Sequence, residues 1–112
     1  MRVLLDACVP RGLRQSLTGH EVRTAPEMSW GDLDNGDLLD AMEGVFDVLV
    51  TVDKRLPEKQ HLEGRSLGLV ILRAKSNRLA DLLPLVPELL AALALLKAGT
   101  AVEIGDDAAR VL

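Results

Sequence analysis

Two aspartates each follow an apolar run: Asp6 after Met1-Arg-Val-Leu-Leu, and Asp53 after Phe46-Asp-Val-Leu-Val-Thr-Val. An ionised carboxylate only accepts hydrogen bonds, and as a hard oxygen ligand it suits Mg²⁺ or Mn²⁺. In an open parallel sheet the carboxyl ends of the strands line the crevice where ligands bind. Two acids just past two neighbouring strands would share that crevice. Like charges about 4 Å apart repel by about 4 kcal/mol at an effective dielectric of about 20. A shared proton, basic partners or a divalent cation must offset the repulsion. The cation makes the pair a candidate phosphodiesterase site, since one metal activates a bound water and two clamp both oxygens of the displacement. The competing reading for each acid alone is helix N-capping, which favours Asp immediately before a helix.

A third candidate is Asp37, in Asp34-Asn35-Gly36-Asp37-Leu38-Leu39. A first-turn carboxylate meets the helix dipole favourably, by about 0.3–1 kcal/mol, and that alone accounts for an Asp there. Asp32, Asp34 and Asp40 are nearby acids that the sequence does not rank below it. Lys54, Arg55 and Lys59 follow Asp53 and are candidates for phosphate contact, against the plainer reading of a solvated basic loop. His61 reads as an ordinary polar residue, and Trp30 as a core anchor rather than a base-stacking platform. Cys8, the single cysteine, excludes an internal disulfide and a Cys-rich zinc site, and its apolar context reads as packing.

The acids need elements to position them. Val3 to Leu5 reads as a short buried strand, and Pro10 opens a helix near Arg11 to Leu17. Glu21 to Ala25 suggests a second strand. Helical spacing resumes from Asp37 to Met42, with Asp34 or Asn35 as N-cap. Val48 to Val52 is the strongest strand, a continuous β-branched run of the kind buried on both faces. A polar stretch to Gly64 holds a short helix, Leu67 to Leu72 forms a fourth strand, and Ala101 to Ile104 a last edge strand. Between these two, Arg78 to Lys97 is helical, with a break at Pro84 and Pro87. Strands alternating with helices specify an α/β fold: a single three-layer domain, its mostly parallel sheet of four to five strands covered by helices on both faces. The domain spans residues 1–105, with a short tail over 106–112.

The bulk numbers agree. A chain of 112 residues with 48% hydrophobic composition is long enough for a core without disulfides or a structural metal. The net charge of −4 argues against a general nucleic-acid binder, so any such contact rests on local basic groups and bound cations. No basic, apolar and small-residue leader is visible at the amino terminus. The stretch from Leu79 to Leu96 contains Asp81, Pro84, Pro87 and Glu88, too polar and broken to span a bilayer. A cytoplasmic protein is expected, with no membrane partner.

Taken in order, Val3-Leu-Leu-Asp6 with Pro10, Gly19-His-Glu-Val-Arg23, Met28-Ser-Trp30, Asn35-Gly-Asp-Leu-Leu39 and Phe46-Asp-Val-Leu-Val-Thr-Val-Asp53 cover roughly the first half of the chain. With Leu67 to Leu72 and Ser76-Asn77-Arg78, this set resembles a branch of the PIN-like nuclease families, relatives of the ribonuclease toxins of bacterial toxin–antitoxin pairs. The resemblance implies a small parallel-sheet domain that cuts RNA with an acidic Mg²⁺ or Mn²⁺ site. It matches Asp6 to the first-strand acid, Asp37 to the acid of an Asn-Gly-Glu-Leu-Leu-like motif, and Asp53 to that of a Thr-x-Asp motif. The implied function is a metal-dependent ribonuclease, in the setting of a toxin with an antitoxin partner. The chain departs from relatives at Ala7, where Glu is common, at Arg55, where Asn is common, and at Lys59-Gln60-His61. Asp37 is one methylene shorter than the usual Glu. A degenerate site kept for binding or regulation is the alternative.

Leu79, Leu82, Leu83, Leu85, Val86, Leu89, Leu90, Leu93, Leu95 and Leu96 make the last helical region apolar on more than one face. Such a helix must be buried on more than one side. At about 1.5–3 kcal/mol per buried Leu, a homodimer or antitoxin contact through it is expected.

Overall fold

In the computed structural model, which describes residues 1–105 and 109–111, the two most apolar runs become strands buried at every position. These are β3 (Val48–Thr51) and β4 (Gly68–Leu72). Side chains of Glu58, Lys59 and residues 109–111 lie outside this description. β1 (Arg2–Leu5) pairs with β3, and β2 (Glu21–Thr24) lies on the outer side of β1. β5 (Ala101–Ile104) pairs with β4. These five strands are parallel. A sixth, β6 (Ala109–Val111), pairs antiparallel with β5, in the segment where the sequence suggests a tail. The rest of that segment, 106–108 and 112, is outside the described residues.

The order across the sheet is β2-β1-β3-β4-β5-β6. The chain moves outward from β1 to β2, then returns to place β3 on the other side of β1. The strand order therefore reverses between β1 and β3, and in open α/β sheets the crevice outside the strand carboxyl ends at such a switch point is where ligands bind.

Side chains alternate between the two faces along each strand. Val3, Leu5, Val48, Val50, Val70 and Val102 face one helical layer, packing with Leu13, Leu82, Leu89 and Leu93. Leu4, Leu49, Leu69 and Ile71 face the other, packing with Leu38, Leu39, Met42 and Leu56. The second layer comprises α1 (Asn35–Met42) and α2 (Leu56–Lys59). Trp30 packs on that side, edge-on to Phe46 at a ring separation of 5.8 Å, as expected of a core anchor.

The first layer comprises a 3-10 segment, Arg11–Ser16, and the Leu-rich region. Tight i→i+3 bonds rather than a full α-helix suit a run this short with Gly12 inside it. Pro84 and Pro87 break the Leu-rich region into α3 (Leu79–Leu82), a 3-10 turn (Leu83–Leu85) and α4 (Val86–Leu95). Leu82, Leu85, Leu89 and Leu93, spaced three and four residues apart, fall on one face and share a single core. Two glycines admit two more. A Cβ at Gly12 would fall 2.9 Å from Leu79 Cδ2, and one at Gly68 would fall 2.6 Å from Leu96 Cδ2. Four of the region's leucines are thus buried within the domain, and Leu79, Val86, Leu90 and Leu96 are partly buried against its core. Leu83 and Leu95 stay exposed, at 41% and 80%. Among the described residues no helix is long and apolar enough to cross a membrane.

Candidate functional site

Leu5 ends β1, and the backbone N–H of Asp6 extends the ladder by one bond, donating to the Val50 carbonyl at 2.9 Å. The chain then turns, with the N–H of Val9 donating to the Asp6 carbonyl at 2.9 Å. That turn aims the Ala7 N–H back at the Asp6 side chain, where Oδ1 accepts it at 2.8 Å. The other oxygen, Oδ2, accepts the hydroxyl of Thr51 at 2.7 Å. Thr51 is the last residue of β3 and is fully buried. Continuing the β1–β3 register, in which Leu5 pairs with Val50, sets Asp6 beside Thr51.

Thr51 also reaches the second acid. Its Oγ1 accepts the backbone N–H of Asp53 at 3.1 Å. One buried hydroxyl thus joins the two strand ends, receiving a proton from the Asp53 backbone and donating its own to the Asp6 carboxylate. The Asp53 side chain is held from two further directions. Oδ1 accepts the Arg55 N–H at 3.0 Å, and Oδ2 accepts the Asn35 amide at 3.4 Å. The Arg55 guanidinium has its Nε 3.7 Å from Asp53 Oδ1 but is 72% exposed, so water screens most of that attraction.

Asn35 arrives through the capping of α1. Asp34 is the N-cap, accepting the Asp37 N–H on its Oδ1 at 2.9 Å, which starts the helix two residues before the expected Asp37. Asn35 thereby becomes the first helical residue, beside the end of β3. Gly36 lies under the Gln60 side chain; a Cβ there would fall 3.3 Å from Gln60 Oε1.

The predicted site residues divide accordingly. Asp6 and Asp53 follow β1 and β3, which are neighbouring strands, and Thr51 links the Asp6 carboxylate to the Asp53 backbone. Asp37 lies exposed on the first turn of α1, with its N–H taken by the cap. Among the described residues no group of three or more His, Cys, Asp or Glu side chains is gathered as a metal site. Lys54 and Arg55 are exposed directly after Asp53, and His61 is exposed farther along. Lys59 lies at the end of α2, its side chain outside the described set. Two members of the site, Thr51 and Asn35, escape the sequence reading as functional residues. The signal for Thr51 is its place as the one polar residue within the β3 run; for Asn35 it is adjacency to the N-cap.

Cys8 borders the pair, its Sγ 3.6 Å from Thr51 Oγ1. Burial pushes its thiol up from the ordinary value; hydrogen bonds from the Val52 backbone and Thr51 pull it part of the way back, and Asp6 adds a smaller upward push. A neutral, half-buried thiol is a poor nucleophile, in keeping with a packing role.

Each oxygen of Asp6 and Asp53 accepts one donor from the chain, and a carboxylate offers about four lone-pair sites. The pair thus retains acceptor capacity, and the donors that orient it are largely uncharged. Two hard carboxylates fit Mg²⁺ or Mn²⁺, since Mg²⁺ is commonly held by one or two carboxylates and keeps several waters. No family model matches the chain, and comparison with curated proteins and with solved structures finds no match.

Proposed function

We propose that the chain is a metal-dependent ribonuclease of PIN-like type that cleaves RNA phosphodiester bonds at the Asp6–Asp53 cleft. The observation that carries this reading is the link that the Thr51 hydroxyl makes between the Asp6 carboxylate and the Asp53 backbone N–H at the β1–β3 switch point. Asp6 and Asp53 would hold Mg²⁺ or Mn²⁺. Bound there, the cation would supply an activated water and stabilise negative charge on a phosphoryl oxygen. The chain's own residues do the positioning. Ala7 and Thr51 orient Asp6, Asn35 and the Arg55 N–H orient Asp53, and Lys54 and Arg55 offer exposed positive charge to phosphate oxygens. Asp37 enters the proposal by resemblance. A toxin role is one setting for this activity, and an antitoxin or a second copy of the chain would meet Leu83 and Leu95 exposed.

The test is cleavage of a labelled single-stranded RNA with Mn²⁺ present and after chelation. The reading expects cleavage that requires the cation and is lost in Asp6→Asn. Cleavage that persists after chelation, or in Asp6→Asn, would contradict it. The second reading, a non-catalytic binding module, is favoured by one contact: the Arg55 Nε near Asp53 places one of the chain's own cations beside the acid. It predicts RNA binding with no cation-dependent cleavage.

A further inference from the structure

An open groove of about 800 Å³ runs along the same carboxyl edge of the sheet, beginning one residue past Asp6. Ala7, whose N–H orients the Asp6 carboxylate, lines its inner end. From there it lies between the Arg11–Ser16 segment and the end of β2, with Arg11, Arg14, Gln15 and Thr24 in its walls. Glu27 is the one carboxylate among its lining residues.

The circumstances of the two arginines differ. Glu27 forms an ion pair with Arg14, and its Oε1 also accepts the Thr24 N–H at 2.8 Å, so Arg14 is tethered to the end of β2. Arg14 Nε is buried and, among the described residues, has no hydrogen-bond partner. Arg11 is exposed, and among the described residues it has no ion-pair partner. The groove therefore presents one fixed and one free guanidinium in a chain whose net charge is −4. Guanidinium forks match phosphate oxygens in geometry and charge. None of the lining residues is aromatic, so the groove offers no stacking platform for bases.

We propose that this groove carries the sugar–phosphate backbone of a single-stranded RNA into the Asp6–Asp53 cleft, with Arg11 and Arg14 as phosphate contacts. The proposal rests on the ribonuclease reading for the strand's destination, while its binding residues are separate from the acids. A single strand fits better than a duplex, because a duplex needs a broad basic face and the groove's lining holds only two basic residues, Arg11 and Arg14. Recognition through the backbone is tolerant of base sequence.

The experiment is fluorescence anisotropy of a labelled oligouridine with the full chain, in chelator so that nothing is cut. Titrations run at several salt concentrations on wild type, Arg11→Ala, Arg11→Glu, Asp6→Asn and Lys97→Ala, with folding of each checked by thermal melting. The control Lys97 is exposed at the opposite edge of the sheet. Arg11→Ala should weaken binding about fivefold or more and lower the slope of log affinity against log salt by about 0.7, one phosphate contact on a single strand. Arg11→Glu should weaken it further. Asp6→Asn should bind as tightly as wild type or tighter, and Lys97→Ala should match wild type. Wild type that does not bind, or Arg11 variants that bind like wild type, would overturn the groove. RNA cleavage undisturbed in Arg11→Glu would leave the ribonuclease standing and refute the groove. Arg11-dependent binding without cation-dependent cleavage would do the reverse.

Discussion

The two edges of the sheet use the same residue types to opposite ends. At the amino edge, Asp47 accepts the Arg2 backbone N–H at 2.7 Å and meets the Arg2 guanidinium at 3.4 Å. Close by, Glu43 accepts the Ser66 N–H at 2.6 Å and the Ser66 hydroxyl, with an Arg65 nitrogen at 3.5 Å. The Arg2 N–H above all holds the Asp47 carboxyl below its ordinary range, and the Ser66 hydroxyl does the same for Glu43. At the carboxyl edge, Asp6 is met by a hydroxyl and a backbone N–H, and Asp53 by an amide, a backbone N–H and one well-solvated guanidinium. Amino-edge acids tie strand starts together and are balanced by the chain itself. Carboxyl-edge acids are oriented mainly by uncharged donors, the setting in which the proposal places a divalent cation.

That contrast breaks most severely if the edges prove interchangeable in activity. Removing a group that orients a metal ligand typically costs roughly 10–100-fold. Losing a ligand should cost more, so Asp6→Asn is expected to lower cation-dependent RNA cleavage by more than about 100-fold, while Asp47→Asn leaves it within about twofold. Equal losses in initial-rate assays would erase the distinction.

Thr51→Val probes the bridge between the two acids. It preserves shape but leaves Asp6 Oδ2 and the Asp53 N–H without their partner. The expected cost is about 1–3 kcal/mol in urea unfolding and roughly 10–100-fold in cation affinity, with Thr51→Ser restoring both. Gly68→Ala sharpens the comparison from the other side. The added Cβ would lie 2.6 Å from Leu96 Cδ2 at the start of β4, so about 1–3 kcal/mol of stability should be lost with cation affinity unchanged.

The smallest effect is a pH dependence. The folded-state pKa of Asp47 is depressed, so its contribution to stability is present above the unfolded value and is lost as pH falls through the folded one. Its partners are exposed, which limits the contribution to about 1 kcal/mol or less. Urea-unfolding free energies of wild type and Asp47→Asn should differ at neutral pH and converge in acid. A gap that widens in acid would contradict the assignment.

Local pattern reveals the sheet but not every contact at its edge. The apolar runs before Asp6 and Asp53 mark buried parallel strands, because strands covered on both faces read as near-continuous apolar stretches. Strand adjacency follows if the two acids share one crevice, and β1 does pair with β3. The Asn35 contact does not follow, because it depends on α1 beginning at Asn35 and on that terminus lying beside β3. Helix starts are poorly defined by sequence when Asp34 and Asn35 both make good caps. The burial of the Leu-rich region is hidden for a similar reason. Leucine spacing alone shows an all-round apolar helix, whereas Gly12 and Gly68 become seats for Leu79 and Leu96 only after folding brings distant segments together. Ala109–Val111 is too short and mixed to announce itself as a strand, and gains its order from pairing with β5.

The central claim is that the Asp6–Asp53 pair is a cation site, and calorimetric titration of Mn²⁺ tests it without needing a substrate. Wild type should give a saturable binding heat that disappears in Asp6→Asn/Asp53→Asn, with Asp47→Asn binding as wild type does. Identical heats in wild type and the double variant would contradict the claim.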